Sequence, residues 1–394
     1  MPSVKSRHVL PLTLLSLTAH AASMDEIIRD NFTFAAEQYR GMLTRVEGRD
    51  GLPRTFEQGK LVLVPTRDWT SGFFPGSLWL IYEFTREPEW RAAAALYTTR
   101  VEVEQHNTQT HDVGFMLWCS AGNGLRLTGD AHYREVMVTG AKSLATRFNP
   151  KVGAIRSWDR VQWKFPVIID NMMNLQLLFW AAEATDDVRL REIASAHADT
   201  SLKYHYRPDF SSYHVVDFNP ESGAVVQRFT HQGSADGSAW ARGQAWGLYG
   251  FVLSYQATKD PRYLDHAKKI AAFLMAHPRM PADKIPYWDL DAKKIPDEPR
   301  DASAAAIMAS ALVELSGCVG GEQRKQLLAF AEEQLRSLSS SAYRSKLGEN
   351  GNFLLLHSTG NFPKHSEVDA PLNYADYYFL EALLRFRAEQ KRVK

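Results

Sequence analysis

Two kinds of apolar pattern alternate along the chain. The stretch VIIDNMMNLQLLFWAAEATDD, residues 167–187, is apolar almost all round. Leu175, Leu178, Phe179 and Ala182 make one face, and Met173, Leu177, Trp180, Ala181 and Ala184 cover the rest. A helix apolar on every side is buried on every side. By contrast, PRYLDHAKKIAAFLMAHP puts Leu264, Ala267, Ala271 and Leu274 on one face and Asp265, Lys268 and Lys269 on another, the pattern of a surface helix.

The junctions between helices repeat. A helix end, a Thr, polar or acidic residues and a new helix start recur at Thr85, Thr128, Thr185 and Thr258, spaced by 43, 57 and 73 residues. Such a repeat is structural and carries insertions. The apolar helices SAAAIMASALVELS and YADYYFLEALLRF extend the count to six helical hairpins. Inner helices alternating with outer ones predict an all-α fold, the (α/α)6 barrel, built as a single domain over residues 22–394. The runs YHVVDF and AVVQRF flank the turn NPESG and predict a hairpin within a loop.

The first 21 residues read differently. Lys5 and Arg7 precede an apolar run from Val9 to Leu17, then Ala19-His20-Ala21, which is the pattern of an export signal cleaved near Ala21. The run is too short to span a bilayer. A periplasmic or secreted mature protein is expected. The net charge of +1 gives no reason to expect nucleic acid or a membrane surface as partner. Cys119 and Cys318, far apart in apolar helical surroundings, read as buried free thiols. The 10 Trp, 15 Tyr and 20 Phe suit a core, and equally a cleft in which flat rings stack on sugars. No metal-ligand spacing, Ser-His-Asp arrangement or phosphate loop is found, and no cofactor is implied.

Polar residues that begin inner helices gather at one end of such a barrel. They include Asp68 and Trp69, His111 and Asp112, Asp170, and the group Trp240, Arg242 and Trp246. An Asp at a helix start is most often a cap. Asp112 and Asp170, however, sit in apolar frames, Val113-Gly114-Phe115 and Val167-Ile168-Ile169. There ionisation is disfavoured, as at tuned catalytic acids.

The blocks DWTSGFFPGSLW, HDVGF, IDNMMNL, HQGSADGSAWARGQAWGLYGF and SEVDAPLNYADYYFLEALLRF, in that order over nearly the whole mature chain, resemble the unsaturated glucuronyl hydrolases, glycoside hydrolase family 88. The resemblance implies the same barrel. It implies an unsaturated uronate-containing di- or oligosaccharide as substrate. A monomer or homodimer is expected. The resemblance also implies Asp170 as general acid/base, Asp112 as the second acid, and His214 near the acid. Gln232, Arg242, Trp246, Trp69 and Trp158 then belong to substrate binding, with Arg242 meeting the uronate and Trp246 forming a stacking wall. A Ser-x-x-Ser-x-Lys pattern of relatives that prefer sulfated fragments is not matched, since Asn361, Lys364 and Ser366 stand at those places. An unsaturated rhamnogalacturonyl hydrolase and a non-catalytic sugar-binding protein are the alternative readings.

Overall fold

The computed structural model describes residues 22–393, so the export-signal reading lies outside the described residues. Within them, outer and inner helices alternate. The outer layer is α1 (Met24–Val46), α3 (Pro88–Val101), α6 (Ala131–Ala145), α8 (Val188–Tyr204), α10 (Pro261–Met275) and α12 (Gly321–Leu338). The inner layer is α2 (Phe73–Thr85), α4 (Val113–Leu117) running on into α5 (Asn123–Thr128), α7 (Leu175–Thr185), α9 (Ala241–Thr258), α11 (Ala302–Ser316) and α13 (Asn373–Val393). α13 packs on both α11 and α2, which closes the ring. The (α/α)6 barrel is therefore present, with six inner and six outer helical passes among the described residues.

The inner and outer character follows from side-chain chemistry. In α9 and α11 almost every residue is buried. Ala and Ser dominate α11, and Gly243, Gly247 and Gly250 punctuate α9, so backbones approach closely at the axis. In α10 and α12 only one stripe is buried. The repeated Thr is a helix stop. Its Oγ1 donates to the carbonyl four residues back: Thr85 to Ile81, Thr128 to Gly124, Thr185 to Ala181 and Thr258 to Ser254. The residue after each Thr is left-handed, at φ between 55° and 70°. Asp130, Asp187 and Asp260 then cap the next outer helix by accepting backbone amides. One short local device thus turns the chain at successive hairpins.

Small sheets decorate one end. β1 (Leu52–Glu57) pairs with β2 (Lys60–Val64), and β3 (Phe148–Asn149) with β4 (Ala154–Ile155). β5 (Pro166–Ile168), β6 (Val215–Phe218) and β7 (Val225–Phe229) form one antiparallel sheet in that order. β8 (Ser358–Asn361) pairs with β9 (Ser366–Ala370). The hairpin expected around NPESG exists as β6–β7, and β5 adds a third strand that local pattern did not reveal. That strand ends immediately before the turn that carries Asp170.

Candidate active site

Asp170 does not begin an α-helix. It sits on a 3-10 turn, Ile169–Met173, between β5 and α7. The turn lies against α9, where small residues make room. A Cβ on Gly250 would collide with the Met172 side chain. Asp112 precedes α4, and its side chain makes no capping bond to that helix. It accepts from the Thr110 hydroxyl at 2.7 Å, and its other oxygen is 3.3 Å from Nε2 of buried His111. The two acid-bearing segments are stitched together, because the Phe115 amide donates to Oδ1 of Asn174 at 2.7 Å. Gly114 permits this approach, since a Cβ there would lie 2.5 Å from the Asn174 Cα. Neither acid caps its helix, so the ordinary structural role of a helix-start Asp is absent at both.

Burial pushes the Asp170 carboxyl up to about 7. Arg242 pulls it down, and the nearby charge of Asp112 adds to the rise. Its Oδ2 is buried without a hydrogen-bond partner among the described residues. The nearest cationisable neighbour is His214, whose Nε2 stands 3.7 Å from that oxygen. The β5–β6–β7 sheet places it. Ile168 pairs with Val215 and Val215 with Phe229, so His214 sits beside Asp170 and residues after β7 fold over it. The amides of His231 and Gln232 donate to His214 Nδ1 at 3.1 and 3.2 Å. With Nδ1 accepting, the ring proton resides on Nε2 and faces Asp170. Burial and the neighbouring His231 and Arg242 hold His214 well below the ordinary histidine range, hence neutral.

The other expected residues divide into two groups. Arg242 is completely buried. It donates to Oδ2 of Asp301 at 3.0 Å and to the carbonyls of Thr359 and Gly360 at 2.5 and 2.6 Å. Its guanidinium lies over Trp240, whose ring in turn lies 4.5 Å from that of His214, tilted by 38°. Trp246 is also fully buried, its ring against Phe115 and Tyr378. An exposed stacking wall at Trp246 is thus not what this geometry presents. Apolar packing at the barrel axis has taken that side chain, and the guanidinium of Arg242 is engaged by Asp301 and two strand carbonyls. Trp69 is half-buried against Phe115 and Tyr374. Gln232 donates to the Gly360 carbonyl at 3.0 Å, the same oxygen that Arg242 holds.

Trp158 brings residues that sequence reasoning missed. Ser157 anchors its loop by donating its amide to the Pro166 carbonyl at 2.8 Å and accepting the Ile168 amide at 3.0 Å. Trp158 then meets His231 and Trp163, and Arg160 lies over both indoles at 4.6 and 5.4 Å. Arg160 Nη1 is 3.2 Å from His231 Nε2. Burial, Arg160 and Lys364 push His231 down to about 4, so it accepts rather than carries charge. The polar loop pattern Trp158-x-Arg160-x-x-Trp163 was the available signal. No cluster of ligands able to hold a metal ion is found among the described residues.

A closed helical barrel carrying a buried acid beside a second acid and flanked by indoles defines a carbohydrate-active enzyme of the α/α-barrel class. Comparison with known proteins narrows this. The unsaturated glucuronyl hydrolase of Formosa agariphila is 44% identical over 387 residues, covering 96% of each chain. A solved unsaturated glucuronyl hydrolase specific for heparin superposes with a TM-score of 0.90 at 49% identity, covering 93% of this chain and 98% of that one. An Asp-to-Asn mutant of the Streptococcus agalactiae enzyme, solved in complex with dGlcA-GalNAc6S, gives a TM-score of 0.78 at 29% identity, covering 97% and 98%. No family model matches the sequence. The chain belongs to the unsaturated glucuronyl hydrolases, and is a glycoside hydrolase.

Proposed function

We propose that the protein removes the 4-deoxy, C4–C5-unsaturated uronate from the non-reducing end of lyase-generated oligosaccharides by hydrating its vinyl ether. Asp170 protonates C4, and positive charge develops at C5, stabilised by the ring oxygen. Water adds at C5 and returns its proton to Asp170. The resulting hemiketal opens and releases the adjoining sugar. One water is consumed and the acid is restored. The observation that carries this reading is a single carboxyl pushed to about 7 with one oxygen unpartnered. It can give a proton and take one back near neutrality. Asp112 assists through its charge and its contacts with Thr110 and His111. His214 Nε2–H steadies the carboxylate formed after proton delivery. Trp69, Trp158 and Gln232 line the approach. Arg160 and Lys364, both near His231, give it positive character that suits a uronate.

Product made in D₂O tests the mechanism. Deuterium should appear on C4 of the released uronate, and a saturated glucuronide of the same linkage should stay intact. Mass spectra without C4 label, or equal cleavage of the saturated sugar, would make Asp112 and Asp170 a displacement pair instead.

Export is the second element of the proposal. The leader pattern supports cleavage near Ala21, and Ser23 and Glu26 form a capping box that starts α1 directly after it. Mass analysis of protein recovered from periplasm and medium tests this, and an uncleaved cytoplasmic chain would refute it.

A further inference from the structure

The barrel is hollow at the end away from Asp112 and Asp170. The inner helices begin at the Asp112–Asp170 end, so their C-terminal ends ring a second mouth. There α2, α5, α7, α11 and α13 surround a cavity of about 520 Å³. This lies within the range of roughly 300–1,000 Å³ usual for small-molecule sites. Two indoles, Trp118 and Trp180, stand in its wall with Leu80, Leu125 and Met137. Glu83, Arg126, Glu314, Glu381 and Arg385 line it too, with Asn123 and Tyr377. Burial pushes the Glu381 carboxyl up to about 8, so two arginines face two ionised acids, Glu83 and Glu314.

Arg126 is held by both oxygens of Glu83, at 2.8 and 2.5 Å, and by Oδ1 of Asn123 at 2.8 Å. Arg385 lies 3.1 Å from Glu314 and 3.1 Å from Glu381. Glu381, at the buried floor, accepts from the hydroxyls of Tyr249 at 2.9 Å and Ser310 at 2.7 Å. An anion would have to displace Glu83 or Glu314, and a cation would have to displace an arginine. Both exchanges break a charge-assisted pair. A neutral polyol needs neither. Its hydroxyls can bridge the fixed carboxylate and guanidinium edges, while an apolar C–H face lies on an indole. The catalytic mouth is the opposite case, with Arg160 over its indoles and no carboxylate paired to it among the described residues.

We propose that this distal cavity is a second carbohydrate site that takes a neutral pyranoside, separate from the uronate site at the other end of the barrel. Trp180 supplies the stacking face, and Glu83, Arg126 and Asn123 supply the hydrogen-bonding edge.

The probe is N-acetylglucosamine, a neutral pyranose without the unsaturated bond. Titrated into the full chain and followed by tryptophan fluorescence, it should bind saturably. Soaked crystals should show it between Trp118 and Trp180. Trp180→Ala should weaken binding at least tenfold, with turnover of an unsaturated disaccharide within twofold of wild type and melting temperature nearly unchanged. If Trp180→Ala does not fold, Glu83→Gln should weaken binding through loss of a fixed acceptor. Absence of saturable binding, equal affinity in the folded variants, or sugar found only beside Asp170 would overturn the proposal.

Discussion

Nε2 of His214 faces Oδ2 of Asp170 at 3.7 Å while its Nδ1 is held by two backbone amides. The imidazole is thereby fixed as a neutral donor aimed at the acid. A donor that bonds the ionised form lowers a carboxyl pKa. His214→Ala should therefore raise the Asp170 pKa and move the alkaline limb of kcat/KM upward, with kcat reduced about 10- to 100-fold, below the usual size of a direct proton-transfer contribution. A pH–rate profile unshifted from wild type would show that the contact is structural only.

Asp170→Asn keeps the shape of the side chain but delivers no proton. Turnover should fall roughly 10²- to 10⁴-fold, while substrate binding persists. In the wild type the carboxyl must be protonated to act, and it titrates near 7. Activity should thus decline as pH rises through about 7. A mutant retaining a tenth of the wild-type rate, or an alkaline limb beyond pH 9, rules the assignment out.

Much of the architecture was legible because it rests on local chemistry. The four Thr stops and the three Asp caps that follow them involve residues within about one turn, so they stand in the sequence as a repeated phrase. α7 and α11 show their burial by lacking a polar face. The position of Asp170 was less legible. Its 3-10 turn depends on β5 pairing with β6, a contact across some 50 residues for which a three-residue strand gives no pattern. Arg242 is the sharper case. Its partners Asp301, Thr359 and Gly360 lie 59, 117 and 118 residues away, and nothing near WARGQAW says that its donors are already taken.

Those distant partners change what Arg242 should do. It forms a buried ion pair with Asp301 and lowers the Asp170 pKa at a distance. Breaking a buried pair by removing one partner costs about 3–5 kcal/mol. Arg242→Ala should lower the melting temperature markedly and shift the alkaline limb of the surviving activity upward. A stable variant with only a raised KM would instead show that the guanidinium meets the uronate itself.

Gly114 tests the stitching of the two acids. A methyl group there would collide with the Asn174 backbone, whose side chain receives the Phe115 amide. Overpacking of this kind costs about 1–3 kcal/mol. Gly114→Ala should lose that stability and reduce kcat more than it changes KM, since Asp112 and Asp170 would be pushed apart. Calorimetry and steady-state kinetics on the one variant check both halves. Unchanged kcat would mean that the spacing of the acids is not critical.

The last expectation concerns stability and pH. A carboxyl whose folded pKa exceeds its unfolded value contributes stability that is complete below the unfolded pKa, and loses it as pH rises toward the folded one. Asp170 rises from 3.8 to about 7, so its ionisation above neutrality opposes folding. A tenfold change in proton affinity is worth about 1.4 kcal/mol, which makes the cost at pH 8 on the order of a few kcal/mol, reduced by whatever relaxation the site allows. An amide carries no such charge. Asp170→Asn should melt at a higher temperature than wild type at pH 8, and the difference should shrink toward pH 5, where the wild-type carboxyl is protonated in the fold. Identical melting curves across that range would show that Asp170 is not desolvated in solution, and with it would go the reason for its acid strength.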